Sequence, residues 1–141
     1  MSRRKARERA LQTLYQLQLN KQDEEQLMRR EERRLSSQVD ESDRDFFARL
    51  VRGVSENKEQ LDQRIEGYLK KDWSMSRLSI VDQTVLRIAV YELLYEPSVP
   101  EKVTLNEAVE LAKTFSGDDS PKFINGVLAS LLRKNDEGEN L

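Results

Sequence analysis

The residues of this chain best suited to chemistry are cationic and stand at its start. Arg3, Arg4, Lys5, Arg7 and Arg9 fall within the first ten positions, against Glu8 alone. At about 100° per residue, Arg4 and Arg7 lie on the line of Leu11, Leu14 and Tyr15, with Arg3 close beside it. A stripe that should face a core thus turns cationic at one end, and an apolar core does not accept three guanidiniums. The expected arrangement is an end that overhangs the bundle or lines a surface groove, ready for an anionic partner. Cations at a helix N-terminus also oppose the macrodipole, at about 0.3 to 1 kcal/mol each at low salt. That cost favours ligand binding over a merely solvated helix start.

A second candidate is Lys122-Phe123, opening a last helix beside the turn at 118–121. An aromatic next to a lysine at a helix N-terminus suits a stacked base and its phosphate. Phe123 as an ordinary core residue is equally consistent with the pattern. Arg87 and Glu92 interrupt an apolar run, but five residues is not a facing spacing, so they are expected to hold helices together. Asp118 and Asp119 lack the D-x-[DN]-x-[DN]-G framework of a calcium loop, and turn capping is the expected role.

Other chemistry is removed by composition. The chain has no histidine and no cysteine, so the usual ligands for zinc, haem, copper and iron–sulfur clusters are missing, along with the thiol nucleophile and the imidazole base. The Gly-rich phosphate loops and the G-x-S-x-G elbow are absent too. The expectation is a protein without catalysis, metal or cofactor. The absence of a disulfide framework and of an apolar N-terminal segment points to the cytoplasm. Formal net charge is −2, so a local basic pole on a mildly acidic chain implies a localised anionic partner.

These residues must be positioned by helices. Of 141 residues, 35% are charged and 37% apolar, with only 5 glycines and 3 prolines and no β-type alternation; this indicates an all-α, single-domain bundle of about six or seven helices over 1–135. The residues at 136–141 are expected to form a disordered acidic tail. The run from Ser79 to Tyr95 is apolar nearly all round and should be the buried central helix; it is short of the roughly 20 apolar residues that span a bilayer.

Around it, Ser2 can cap a helix reaching Leu19. Residues 21–38 read as an exposed, mobile helix with few anchors (Leu27, Met28, Leu35) and possible Glu25–Arg29 and Glu31–Arg34 pairs. One long helix is expected over about 43–70, followed by a connector holding Trp73 and Leu78. Ser79 and Asp82 can form a capping box, as can Thr104 and Glu107. Gly117 should stop one helix and Ser120-Pro121 start the last, which runs to about Lys134. Gly126 is expected to permit close helix approach.

Several blocks together resemble the NusB family of bacterial transcription antitermination factors. They are Arg3-Arg4-Lys5-Ala6-Arg7-Glu8 with Ala10-Leu11 and Leu14-Tyr15; 85–93 from Val85 to Leu93; Val99-Pro100-Glu101-Lys102-Val103; 106–113 from Asn106 to Lys113; and Lys122-Phe123-Ile124-Asn125-Gly126-Val127-Leu128. They cover the chain in family order apart from 20–40 and the last residues. The resemblance implies two small bundles sharing long central helices. It also implies a non-enzymatic role: binding single-stranded boxA RNA of nascent ribosomal RNA with ribosomal protein NusE, within an RNA polymerase antitermination complex. Homodimerisation of the free protein is a further expectation. On this resemblance Arg3, Arg4, Lys5, Arg7, Lys113, Lys122 and Phe123 fall on the RNA side, and Tyr15 and Asp82 on the NusE side. Ala129 departs from the family where an acidic residue is common, and Pro121 replaces a variable residue. The enzymatic alternative is the similar N-terminal domain of ribosomal RNA methyltransferases, which needs a cofactor-binding domain and a cysteine nucleophile.

Overall fold

Apolar residues at helical spacing become helices throughout the computed structural model, which describes residues 2–20, 23–35 and 37–136. The elements are α1 (Ser2–Leu19), α2 (Glu24–Leu35), α3 (Glu41–Glu56), α4 (Lys58–Glu66), a single 3-10 turn (Met75–Arg77), α5 (Ile80–Tyr95), α6 (Glu101–Phe115) and α7 (Ser120–Asp136). Among the described residues there is no strand, as an all-α chain requires. No described helix is long and apolar enough to cross a membrane. The side chain of Ser2 and residues 137–141 lie outside the description, and with them the Ser2 cap and most of the expected tail; Asp136 itself closes α7.

The chain forms two compact units, 1–56 and 57–141. Their boundary coincides with a correction to the sequence reading. The helix expected over 43–70 is two helices, interrupted at Asn57 (φ −112°, ψ 16°) and ended at Glu66, so that Tyr68 and Leu69 lie in the turn that follows.

In the first unit α1, α2 and α3 all pack on one another. Ala6 and Ala10 are fully buried, and such small residues let helix axes approach closely. Phe46, Phe47, Leu50 and Val51 from α3 meet them, all at 0% exposure. The helix α2 is not the loosely held flank its composition suggests. Leu27, Met28 and Leu35 are buried, and so, completely, is Glu31. That carboxylate lies 3.6 Å from Arg9 and 3.4 Å from Arg34, and a buried charge needs such pairing. Glu25 reaches across to Arg52 on α3 at 3.2 Å, in place of the expected Glu25–Arg29 contact. Both side chains are about half exposed, so this pair contributes little.

Asp40 caps α3, its Oδ1 accepting the N–H of Asp43 at 3.0 Å. The Asp43 backbone donor foremost, then the Asp43 side chain and the charges of Arg3 and Arg44, hold the Asp40 carboxyl below its ordinary value. A carboxyl lowered in the folded state stabilises above its unfolded value and loses that contribution as pH falls through the folded one. Wild type should therefore lose its advantage over Asp40→Asn, which keeps a competent cap, only below about pH 3.8. Urea unfolding of both proteins between about pH 7 and pH 2 measures this; a difference that stays constant with pH would contradict it.

In the second unit α5 is the centre, as its composition demands: residues 83–92 are all buried, packed against α4, α6 and α7. Ser79 Oγ accepts the Asp82 N–H at 3.1 Å, forming the expected cap. The Thr104 box is not a cap. Pro100 opens α6 a turn earlier, and Thr104 sits buried inside the helix, its hydroxyl donating to Glu92 Oε1 at 3.3 Å. Arg87 makes a two-pronged ion pair with Asp62 on α4, at 2.7 and 2.9 Å. Arg87 and Glu92 thus link α5 to its neighbours, as their spacing suggested.

Candidate nucleic-acid interface

The arginine arm of the first unit is built on one ring. The guanidinium of Arg3 lies 4.2 Å from the centroid of Phe46, that of Arg7 5.1 Å and that of Arg49 5.7 Å. Each is within cation–π range. Arg3 also pairs with Asp43 at 3.5 Å and donates to Ser42 Oγ at 3.4 Å. Arg7 is 3% exposed, its guanidinium held over the ring face of Phe46. Arg7 therefore departs from the expectation of an arm that overhangs the bundle or lines a surface groove. What remains open is a basic rim: Arg4 and Lys5 are exposed and Arg3 is partly so. Tyr15, farther along α1, is half-buried.

The second unit holds an open groove of about 840 Å³. The start of α7 forms one side, with Lys122 exposed and Phe123 half-buried, so Phe123 is not a closed core residue. Its helix is anchored by a cluster of four oxygens from three residues. Asp82 Oδ1 accepts from Ser116 at 2.8 Å and Oδ2 from Ser120 at 3.0 Å, while the two serine hydroxyls are 2.8 Å apart. The expected capping-box role of the Asp82 side chain is thereby replaced by a tie between the start of α5 and the α6–α7 turn. Gly126 also lines the groove. Nothing lies within 4 Å of where its Cβ would be, so it does not serve close helix approach as expected. A helical glycine costs about 1 kcal/mol relative to alanine, and here it leaves the groove wall bare.

The connector after α4, in which Trp73 and Leu78 were expected but given no role, also lines the groove. Trp73 is 50% exposed, with the Arg77 guanidinium 5.7 Å from its ring. Asp72 takes φ 76°, a left-handed conformation costing about 1 kcal/mol or more for a residue with a side chain. Two bonds hold this turn: Trp73 N–H to Lys70 O at 3.0 Å and Arg77 Nη1 to Asp72 O at 2.7 Å. Below it, Met75 N–H donates to Glu66 Oε2 at 2.7 Å, and the buried Gln83 amide donates to Met75 O at 2.7 Å and Leu78 O at 3.1 Å. The available signal was a lone tryptophan flanked by Lys70, Lys71 and Arg77.

Lys113 on α6 does not line this groove; it is exposed and pairs with Glu110 at 3.4 Å. Among the described residues no group of three or more acidic side chains could hold a metal ion.

A model of the NusB family matches residues 4–133. The transcription antitermination protein NusB of Bacillus cereus (strain B4264) is 44% identical, over 93% of this chain and 97% of its own length. That of Clostridium novyi (strain NT) is 38% identical, over 94% and 99%. Among solved structures, T. maritima NusB superposes with a TM-score of 0.84 at 37% identity, covering 95% of this chain and 92% of its own. A crystal structure of the antitermination factors NusB and NusE in complex with dsRNA gives 0.81 at 26% identity, covering 94% and 96%. With a family match spanning nearly all of both units, and relatives alike in length, sequence and fold, this chain belongs to the NusB family of transcription antitermination proteins.

Proposed function

We propose that this chain is a non-enzymatic antitermination adaptor of the cytoplasm that binds boxA RNA of nascent ribosomal RNA transcripts together with ribosomal protein NusE. The observation that carries this reading is Lys122 and Phe123 on the wall of an open groove, a cation and a ring face at one helix start. A similar protein crystallised with NusE and dsRNA supports RNA as the ligand. An accessible ring favours an unpaired base, since bases in a duplex are already stacked. Arg4 and Lys5 would contact phosphates, Arg3 would share itself between Phe46 and the RNA, and Lys113 would add a peripheral contact. Arg7 acts as a positioning residue in this scheme, holding the arm against Phe46. Tyr15 and Asp82 are assigned to the NusE side, Asp82 through the serine cluster that it organises.

Replacing Arg4 and Lys5 with alanine should weaken binding to fluorescent boxA RNA and lower the salt slope by about 0.7 per lost phosphate contact on a single strand. Anisotropy titrations with and without NusE, at several salt concentrations and beside a scrambled RNA, measure both. Unchanged affinity and slope would remove the arm from the RNA site. A pure protein-interaction bundle would show no RNA affinity even with NusE present.

A further inference from the structure

The groove in the second unit is larger than one base on Phe123 requires. At about 840 Å³ it falls toward the top of the roughly 300–1,000 Å³ typical of small-ligand sites. Phe123 and Lys122 on α7 share its lining with Tyr68, Lys70, Trp73 and Arg77 from the connector, a second set of rings and cations, together with the apolar Leu78 and Val127. We infer that Trp73 is a second stacking platform, so that the RNA strand passing Phe123 continues across the groove and places another unpaired base on the indole. This rests on the RNA reading above and adds to it a second base site on different residues.

Three observations support it. First, Trp73 is 50% exposed, lines the same groove as Phe123, and is displayed by a turn that stores backbone strain at Asp72. The Arg77 guanidinium serves two purposes there, bonding the Asp72 carbonyl and lying over the indole. The platform is therefore set before any ligand arrives. Second, the charge suits a phosphodiester strand. Lys70, Arg77 and Lys122 face only two carboxylates, Asp82 and Asp119, and both oxygens of Asp82 already accept serine hydroxyls. Alternating ring faces and cations are the features that hold single strands without close sequence demands. Third, Gly126 lines the same groove, and a Cβ there would meet nothing within 4 Å, so the lining carries no side chain at that position.

Trp73 is the only tryptophan in the chain, so its fluorescence reports this wall alone. The full-length protein, with NusE and its baseline subtracted, is titrated with single-stranded boxA RNA of about 12 nucleotides, within the usual site sizes for such proteins. Binding is read in parallel by anisotropy of the labelled RNA. Indole emission should be quenched along the same binding curve. Trp73→Ala should weaken affinity about 5- to 150-fold, the range for one lost base stack, and Trp73→Phe should recover most of it. Lys70→Gln should lower the salt slope by about 0.7. Circular dichroism of each variant confirms the fold. If emission and affinity at position 73 do not respond while Phe123→Ala still weakens binding, the second platform is refuted and the RNA reading stands. If wild type binds no RNA with or without NusE, both fall. Quenching by NusE alone, unaltered by RNA, would assign the groove to the protein partner and also overturn the inference.

Discussion

Phe46→Ala is expected to lower the unfolding free energy by about 3 to 5 kcal/mol, as for other buried phenylalanines. Against a total of about 5 to 15 kcal/mol for a domain, that is enough to leave the first unit marginal at physiological temperature. The ring is completely buried and fills the space between α1 and α3, so its loss opens a cavity. It also removes the common surface under Arg3, Arg7 and Arg49. Phe46→Leu separates the two effects. Leucine fills most of the volume and leaves a cost of about 1 to 2 kcal/mol, the scale of a desolvated cation–π contact. Urea unfolding of both variants measures the difference, and an Arg7→Ala, Phe46→Leu cycle should show non-additivity because the two groups touch. A Phe46→Ala loss below about 1 kcal/mol would contradict the ring's place at the centre of the unit.

Asp62→Ala is expected to cost about 3 kcal/mol, the low end of the range for breaking a buried ion pair. The damage lies in what is left behind. Arg87 keeps its charge with only 6% of its side chain exposed, while Asp62, 23% exposed, admits some water and moderates the loss. Arg87→Met combined with Asp62→Leu removes both charges and should sit within about 1 kcal/mol of wild type, since a packed apolar pair often replaces an ionic one without loss. Denaturant midpoints of the single and double variants test this. A single substitution no worse than the double would show that the Arg87 charge is satisfied by other groups.

Most helices were legible in the sequence because their apolar residues sit on one periodic stripe, as in α1 and α7, or run nearly all round, as in α5. The break at Asn57 was not. Val54 and Leu61 are seven residues apart, two helical turns, so the stripe runs on in phase across a one-residue interruption. The cap pattern at Thr104 was misread because the same spacing fits a helix that Pro100 had already begun. Arg7 and Glu31 failed for a shared reason. Residue type predicts exposure for charged groups, yet each finds a partner on another helix: Phe46 for Arg7, Arg9 for Glu31. Such partners are distant in sequence and invisible to a local pattern. At the candidate site, Lys122 and Phe123 stood out because a start signal precedes them. Trp73 did not, because an irregular connector has no period to mark which side chains it displays.

Gly126 gives the molecule a practical opening. The chain contains no cysteine, and a Cβ at position 126 would meet nothing within 4 Å. A thiol placed there would be the sole point of attachment for a maleimide dye, a spin label or a photocrosslinker, carried on an unstrained helix and directed into the groove. The bare wall that leaves room for a ligand thus doubles as an address at which whatever occupies it can be labelled and identified.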